Sequence, residues 1–256
     1  MRVISLGWGV QSWTLAAMAA LGEIEADVAI HVDTRFEKSA TYEFAAQWTP
    51  WLEAHGLRVV VVQGDPFVAK AGETHIPAYT TTAKGGQLRR QCTNHWKIKP
   101  IRRWVSDELK RQGLTKRPGI VESIQGISLD EWQRMKDADV KYIIHRYPLV
   151  DMKMTRDDCV TWLVAHDLPV PPKSACVFCP FQSINTWRKL KRNGGQDWAT
   201  AVEIDLAIRT VRPPYALFVH PARLPLPEAV VIPEDSGFSQ ATMFDGDGCE
   251  SGYCFV

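Results

Sequence analysis

Short apolar runs alternate with longer helix-compatible stretches over the first two thirds of the chain. Arg2-Val-Ile-Ser-Leu6 is an apolar run ending in a Gly-rich turn, Gly7-Trp-Gly9. Residues 11–21 are Ala-rich and close on Gly22, so strand, tight turn and helix follow in order. Asp27-Val-Ala-Ile-His-Val32 reads as a second buried strand. Residues 38–55 are helical in composition, with Pro50 expected to kink or split that helix. Arg58-Val-Val-Val-Val62 has the unbroken β-branched pattern of a strand covered on both faces. The segment 75–86 reads as a loop or short hairpin, and 95–112 as a helix. Residues 120–127 and 141–145 predict a fourth and a fifth strand around a helix over 129–138. Thr155 with Asp158 three residues on predicts the N-cap of a helix running to 166.

This alternation predicts an α/β fold with a doubly wound parallel sheet, covered on both faces. Past residue 166 the pattern changes to a Pro-rich turn, Cys176-Val-Phe-Cys179, and two helices over 184–192 and 197–211. The predicted organisation is an α/β domain over 1–166, a small helical Cys-x-x-Cys region over 167–222 packed on it, and a partly disordered tail over 223–256. A length of 256 residues suits one full-sized domain with such an appendage.

Charge changes the picture locally rather than globally. The net charge is only +1, yet residues 84–117 hold eleven Lys or Arg against Asp107 and Glu108, while 224–256 holds six acids and no Lys or Arg. A basic block of that kind steers polyanions, or is simply a solvated helix face. No apolar run approaches the roughly twenty residues of a spanning helix, and the N-terminus lacks signal-peptide character. A cytoplasmic, reducing setting without a membrane partner is therefore expected. There the six cysteines serve as ligands, catalysts or core residues rather than as disulfides.

A strand that ends in small residues and feeds a helix gathers backbone N–H groups at one point, which suits phosphate. Here that segment is Leu6, Gly7, Trp8, Gly9, Val10, Gln11 and Ser12. It lacks the Gly-Lys-Ser/Thr and three-glycine patterns of other nucleotide loops, and a tight turn without a ligand is the other reading. Gly7-Trp-Gly-Val-Gln-Ser12 resembles the Ser-Gly-Gly-x-Asp-Ser loop of the pyrophosphate-loop (N-type) ATP pyrophosphatases. Within that family it most resembles the branch that includes phosphoadenylylsulfate reductase and related sulfur-transfer enzymes. Gly9 and Ser12 keep the pattern; Gly7, Trp8 and Gln11 stand where the family has Ser, Gly and Asp. His31-Val-Asp-Thr34, Gly126-Ile-Ser-Leu-Asp-Glu131, Tyr147-Pro-Leu-Val-Asp151 with Thr155-Arg-Asp-Asp158, and the basic segment from Arg90-Gln-Cys-Thr93 to Lys97-Ile-Lys-Pro-Ile-Arg102 are similar to further family signatures, in family order.

The resemblance implies an adenine nucleotide alpha hydrolase-like, Rossmann-like fold and an adenylating ATP pyrophosphatase. ATP phosphates are expected on Leu6 to Ser12 and adenosine on Val32, Asp33 and Thr34, with Gly126 completing the site. Asp33, Asp151 and Lys97 are the catalytic candidates, and Arg89, Arg90 and Arg102 the substrate-binding ones. Asp33 as the cap of its own turn, and Asp151 as a structural hydrogen-bond partner, are the plainer alternatives. Cys92, Cys176 and Cys179 are the expected ligands of a [4Fe-4S] cluster; His95 with the same cysteines makes an alternative Zn²⁺ set, since two pairs stand at zinc-knuckle spacing. ATP, Mg²⁺ and a sulfur donor are the implied partners, with a nucleotide or RNA-like substrate and a homodimer as the allowed assembly. An adenylylsulfate-type reductase using Cys249 and Cys254, and a zinc-stabilised nucleic-acid-binding module, are the competing classes. Trp8, inside the loop, and Trp96, in the basic segment, either stack on a base or pack the loop, and Cys159 is a core residue.

Overall fold

The computed structural model describes residues 1–82 and 85–233. Cys249, Cys254 and most of the acidic tail lie outside the described residues, as does Lys84. The chain divides into two compact units. Among the described residues, the first comprises Met1–Asp65 and Trp96–Ser174, and the second comprises 66–95 and 175–233.

The first unit is built on five strands: β1 (Arg2–Ser5), β2 (Val28–Asp33), β3 (Val59–Gln63), β4 (Val121–Ile124) and β5 (Ile143–Arg146). Their order is β3-β2-β1-β4-β5, and every neighbouring pair is parallel. Val3 stands opposite Val28 and Ser123, which puts β1 at the centre. The helices are α1 (Val10–Ala20), α2 (Ser39–Ala54), α3 (Lys99–Arg111), α4 (Pro148–Asp151) and α5 (Arg156–Ala165).

Successive strand side chains point to opposite faces, and the two hydrophobic clusters follow that rule. Val3, Val28, Ile30 and Val121 pack with Val105 and Leu109 of α3. Their neighbours Ile4, Ala29 and Ile124 pack on the other side with α1, Phe44 and Leu52 of α2, and Cys159 and Leu163 of α5. The sheet is thus covered on both faces, the doubly wound arrangement expected from the alternation of strands and helices. Successive strands are added outward in opposite directions from β1 and from β4, and the crevice at the carboxyl ends of these two strands is where ligands settle in such sheets. Burial pushes the Cys159 thiol up to about 12, so it remains an uncharged core residue.

Three local expectations differ from the structure. The valine-rich β3 is an edge strand, paired with β2 alone, and Val61 is 58% exposed. Its composition matches a buried strand because one face does pack, through Val60 and Val62. Pro50 lies inside α2 without splitting it; the hydroxyl of Thr49 donates back to Ala45 O at 2.7 Å beside the site where the proline removes an N–H. The helix expected over 129–138 is a 3₁₀ stretch, Leu129–Arg134, with none of its residues buried. Without an apolar face to pack, an α-helix there has little to stabilise it, and Leu129 N donates instead to Met154 O at 2.7 Å. The cap at Thr155 forms as a capping box: Thr155 Oγ1 accepts from Asp158 N, and the Asp158 carboxylate accepts from Thr155 N.

In the second unit, α6 (Ile184–Asn193), α7 (Gly195–Ile208) and α8 (Leu226–Ala229) accompany two short antiparallel ladders. One joins Ala69–Lys70 to Glu73–Thr74, the other Tyr79–Thr80 to Leu217–Phe218. Asp205 of α7 is 1% exposed and accepts from Val219 N (2.9 Å), Leu226 N (3.1 Å) and the Arg209 guanidinium. One buried carboxylate therefore ties α7 to the strand and helix that follow it, with its charge matched by Arg209.

Candidate functional site

The loop after β1 has little freedom. Leu6 N still donates to Ile30 O of β2 at 2.9 Å. Trp8 then takes φ +56°, in the left-handed region that glycine tolerates and bulky residues resist. The resembled family has a glycine at this point, and the backbone shows why. Trp8 is 1% exposed and its ring packs on Trp13 (5.9 Å), Phe44 (6.1 Å) and His31 (6.4 Å). The ring therefore belongs to the core, not to a stacking surface, and it offsets the backbone strain with aromatic contact. Trp96 is likewise buried, beside Phe36.

Gly9 forms the N-cap of α1 in extended geometry, with no side-chain cap and no acidic residue in the first turn. Ser12 closes the loop from inside: its Oγ accepts from Gly7 N and donates to Gly9 O, each at 3.2 Å. Ser174 Oγ donates to Gly7 O at 2.5 Å. Gly126, just past β4, presses on the same turn. A Cβ there would lie 2.9 Å from Ser12 N and 3.1 Å from Ser12 Cα. The β1 and β4 loops thus meet at the reversal point of the sheet, around an uncapped helix N-terminus, an arrangement suited to an anion.

Gln11 accounts for a second departure from the family loop. Its Nε2 donates to Glu131 Oε2 at 3.2 Å and to Ser128 Oγ at 3.4 Å. An aspartate at position 11 would face Glu131 as a like charge. Burial raises Glu131 above the ordinary carboxylate range, and Arg134, 2.7 Å away, opposes that rise. Glu131 is half-buried and paired with Arg134.

At the end of β2, Val32 and Thr34 are buried. Asp33 accepts from Tyr42 OH (2.7 Å), Arg35 N (2.7 Å) and Gln63 Nε2 (3.2 Å). Burial alone would raise its carboxyl, but these three donors outweigh it and hold the group below its ordinary value. The capping role is therefore formed, and Asp33 also braces β2 against β3 and α2. Lys97 Nζ lies 3.2 Å from Glu37 Oε1. With Ser5, Leu6, Gly7, Ile30, His31, Val32 and Ile101 it borders a cavity of about 20 Å³, room for one water.

His31 lies within that cluster and its Nδ1 is 3.1 Å from Leu6 O. A carbonyl only accepts, so Nδ1 carries the proton. Burial lowers the His31 pKa, outweighing the carbonyl and Glu37, which raise it. The folded state thus resists a proton that the unfolded chain takes up below its ordinary value of about 6.5. The stability His31 contributes is complete above that value and is lost as pH falls through it; His220, also lowered by burial, acts in the same direction. Urea midpoints should fall between about pH 7 and pH 5, and His31→Gln should flatten that slope even if it lowers stability at both ends. A slope unchanged in the variant would show that His31 is not the group responsible.

The remaining candidates are more dispersed. Asp151 ends α4 and is exposed. Arg102 of α3 pairs with Asp139. Arg89 is exposed, and the Arg90 guanidinium lies over the Phe181 ring at 5.8 Å. Cys92, Cys176 and Cys179 all belong to the second unit and are half-buried thiols. Cys179 N donates to Cys176 O, forming a tight turn between the pair. Among the described residues, no group of three His, Cys, Asp or Glu side chains is gathered closely enough to hold a metal ion. The donor set expected for a cluster or zinc is therefore not preformed. Sequence reading missed Glu37, Tyr42, Gln63 and Ser174. Glu37 sits in Arg35-Phe-Glu-Lys38, where nothing distinguishes a buried acid from a solvated one.

No sequence-family profile matches the chain, and no match to it was found among curated proteins by sequence. Among solved structures it is similar to the phosphoadenylyl-sulfate (PAPS) reductase from Candida auris in its phosphate complex: 12% identity, TM-score 0.41, over 66% of this chain and 74% of that one. It is also similar to the U34-tRNA thiolase NcsA from Methanococcus maripaludis with its [4Fe-4S] cluster: 14% identity, TM-score 0.43, over 82% of this chain and 72% of that one. The strand order and register, independently of these likenesses, define the α/β fold. No helix of the described residues is long and apolar enough to cross a membrane.

Proposed function

We propose that the chain is an enzyme of the pyrophosphate-loop kind that binds ATP on the loop Leu6 to Ser12 and adenylates a substrate oxygen. The observation that carries this is the uncapped, acid-free N-terminus of α1, closed by Gly126 at the point where the sheet reverses. The substrate oxygen attacks the α-phosphate, pyrophosphate leaves, and a phosphoester to AMP forms. A sulfur nucleophile from a donor then displaces AMP, leaving sulfur in place of oxygen on a nucleotide or RNA-like acceptor. The loop's N–H groups bind and orient the phosphates, and Lys97 at its edge offsets their charge. Magnesium arrives with the triphosphate and neutralises charge on the leaving pyrophosphate. The cluster suggested by the resemblance is not used in any of these steps, because its donors are not gathered. A reductase acting on an adenylylated sulfate is the second reading, carried by the same loop; its expected nucleophiles, Cys249 and Cys254, lie outside the described residues.

ATP binding is tested by calorimetry with a non-hydrolysable analogue, and adenylation by exchange of labelled pyrophosphate into ATP in the presence of small RNA. Micromolar binding with acceptor-dependent exchange supports the proposal. Binding to RNA that is steeply salt-dependent, with no ATP bound, would instead indicate a nucleic-acid-binding module. Iron and sulfide analysis of anaerobically purified protein, with a visible spectrum, decides the cofactor separately from either result.

A further inference from the structure

The connection between β2 and α2 carries an acid that the proposed chemistry does not use. Glu37 is 3% exposed, and its Oε1 accepts from Lys97 Nζ at 3.2 Å. Its second oxygen, Oε2, is buried with no hydrogen-bond partner. Buried carboxylate oxygens are ordinarily satisfied, and an exception calls for a reason. The Glu37 N–H donates to Tyr42 OH, which donates onward to Asp33, so the backbone at Glu37 is fixed to the end of β2. Lys97 in turn borders the small cavity whose wall includes Leu6 and Gly7, the first two residues of the loop. One ammonium group therefore lies between a buried carboxylate and the edge of the anion-binding turn.

A carboxylate this close to a polyanion site works against binding on charge alone. It favours binding only if it fixes a cation that does more in return. We propose that Glu37 is a positioning residue, which holds the Lys97 ammonium at the edge of the loop so that it meets the phosphates of a bound nucleotide. The inference rests on the ATP reading above. It gives Glu37 an effect opposite in sign to that of a bystander: removing its charge weakens nucleotide binding, although simple electrostatics predicts that binding tightens. The other titratable groups around Lys97 and Glu37 are His31, Asp33 and Tyr42, which Glu37→Gln leaves in place.

The test is a double-variant cycle read by calorimetry with a non-hydrolysable ATP analogue. Glu37→Gln and Lys97→Met should each weaken binding about tenfold, the loss expected of one charge-assisted hydrogen bond. The double variant should bind no more weakly than Lys97→Met alone, and Glu37→Asp should fall between wild type and Glu37→Gln. Unchanged or tighter binding in Glu37→Gln, or additive losses in the double variant, overturns the inference. A second readout needs no nucleotide. The rate at which an amine-acylating reagent modifies Lys97, followed by mass spectrometry at pH 8, should rise severalfold in Glu37→Gln as the ammonium loses the Glu37 carboxylate. If the wild-type chain fails to bind the analogue, the ATP reading falls while the acylation rate still decides whether Glu37 holds Lys97; an unaltered rate overturns that pairing.

Discussion

Gly126→Ala is expected to weaken ATP binding by about five- to a hundredfold while leaving the chain folded. The added methyl would meet Ser12 N at 2.9 Å, Ser12 Cα at 3.1 Å and the Gln11 carbonyl carbon at 3.3 Å. All three are backbone atoms of the first turn of α1, which have no alternative rotamer to adopt. Overpacking of this kind costs about 1–3 kcal/mol, equivalent to the stated range if it falls wholly on the bound state. The turn must move away from β4, taking with it the N–H groups proposed to hold the phosphates. Calorimetric titration with the ATP analogue, beside circular dichroism melting curves of both proteins, separates lost affinity from lost fold. An affinity equal to wild type would mean that the phosphates are held elsewhere, and the loop assignment would have to be withdrawn.

Trp8→Gly is expected to destabilise the first unit by about 2 kcal/mol, although it restores the residue the resembled family uses. Three effects compete. Removing a fully buried large aromatic costs about 3–5 kcal/mol through lost contact and the cavity left behind. Relieving a left-handed backbone in a non-glycine residue returns about 1 kcal/mol. Removing the indole Nε1, buried without a hydrogen-bond partner, returns about another 1 kcal/mol. Packing wins because Trp8 meets Trp13, Phe44 and His31 at once. Trp8→Phe keeps most of that contact and removes the unpartnered N–H, so it should stay within about 1 kcal/mol of wild type. Urea unfolding followed by circular dichroism measures both. If Trp8→Gly proved stabilising, backbone strain rather than packing would dominate this turn.

The two variants also show how the loop offsets its departures from the motif it resembles. Trp8 accepts a strained backbone and gains a core ring; Gln11 replaces a carboxylate that Glu131 would repel, and gains a hydrogen bond to it. Neither compensation is visible in the loop itself, since Phe44 is 36 positions away from Trp8, and Glu131 is 120 from Gln11.

The sequence by itself determined the alternation of β1, α1, β2, α2 and β3, because short β-branched runs, an Ala-rich stretch and terminal glycines are local signals with local physical causes. It also marked Gly7 to Gly9 as a tight turn feeding a helix, and Thr155 with Asp158 as a helix start, since a cap is complete within four residues. Only the tertiary structure decided that β3 lies at the edge of the sheet, because edge and centre differ in neighbours and not in composition. It decided likewise that 129–134 is a 3₁₀ turn rather than a helix, that Arg102 is paired with Asp139 and that Glu37 is buried against Lys97. Burial and pairing depend on residues brought together by folding from distant parts of the chain, and no spacing within a single segment encodes them.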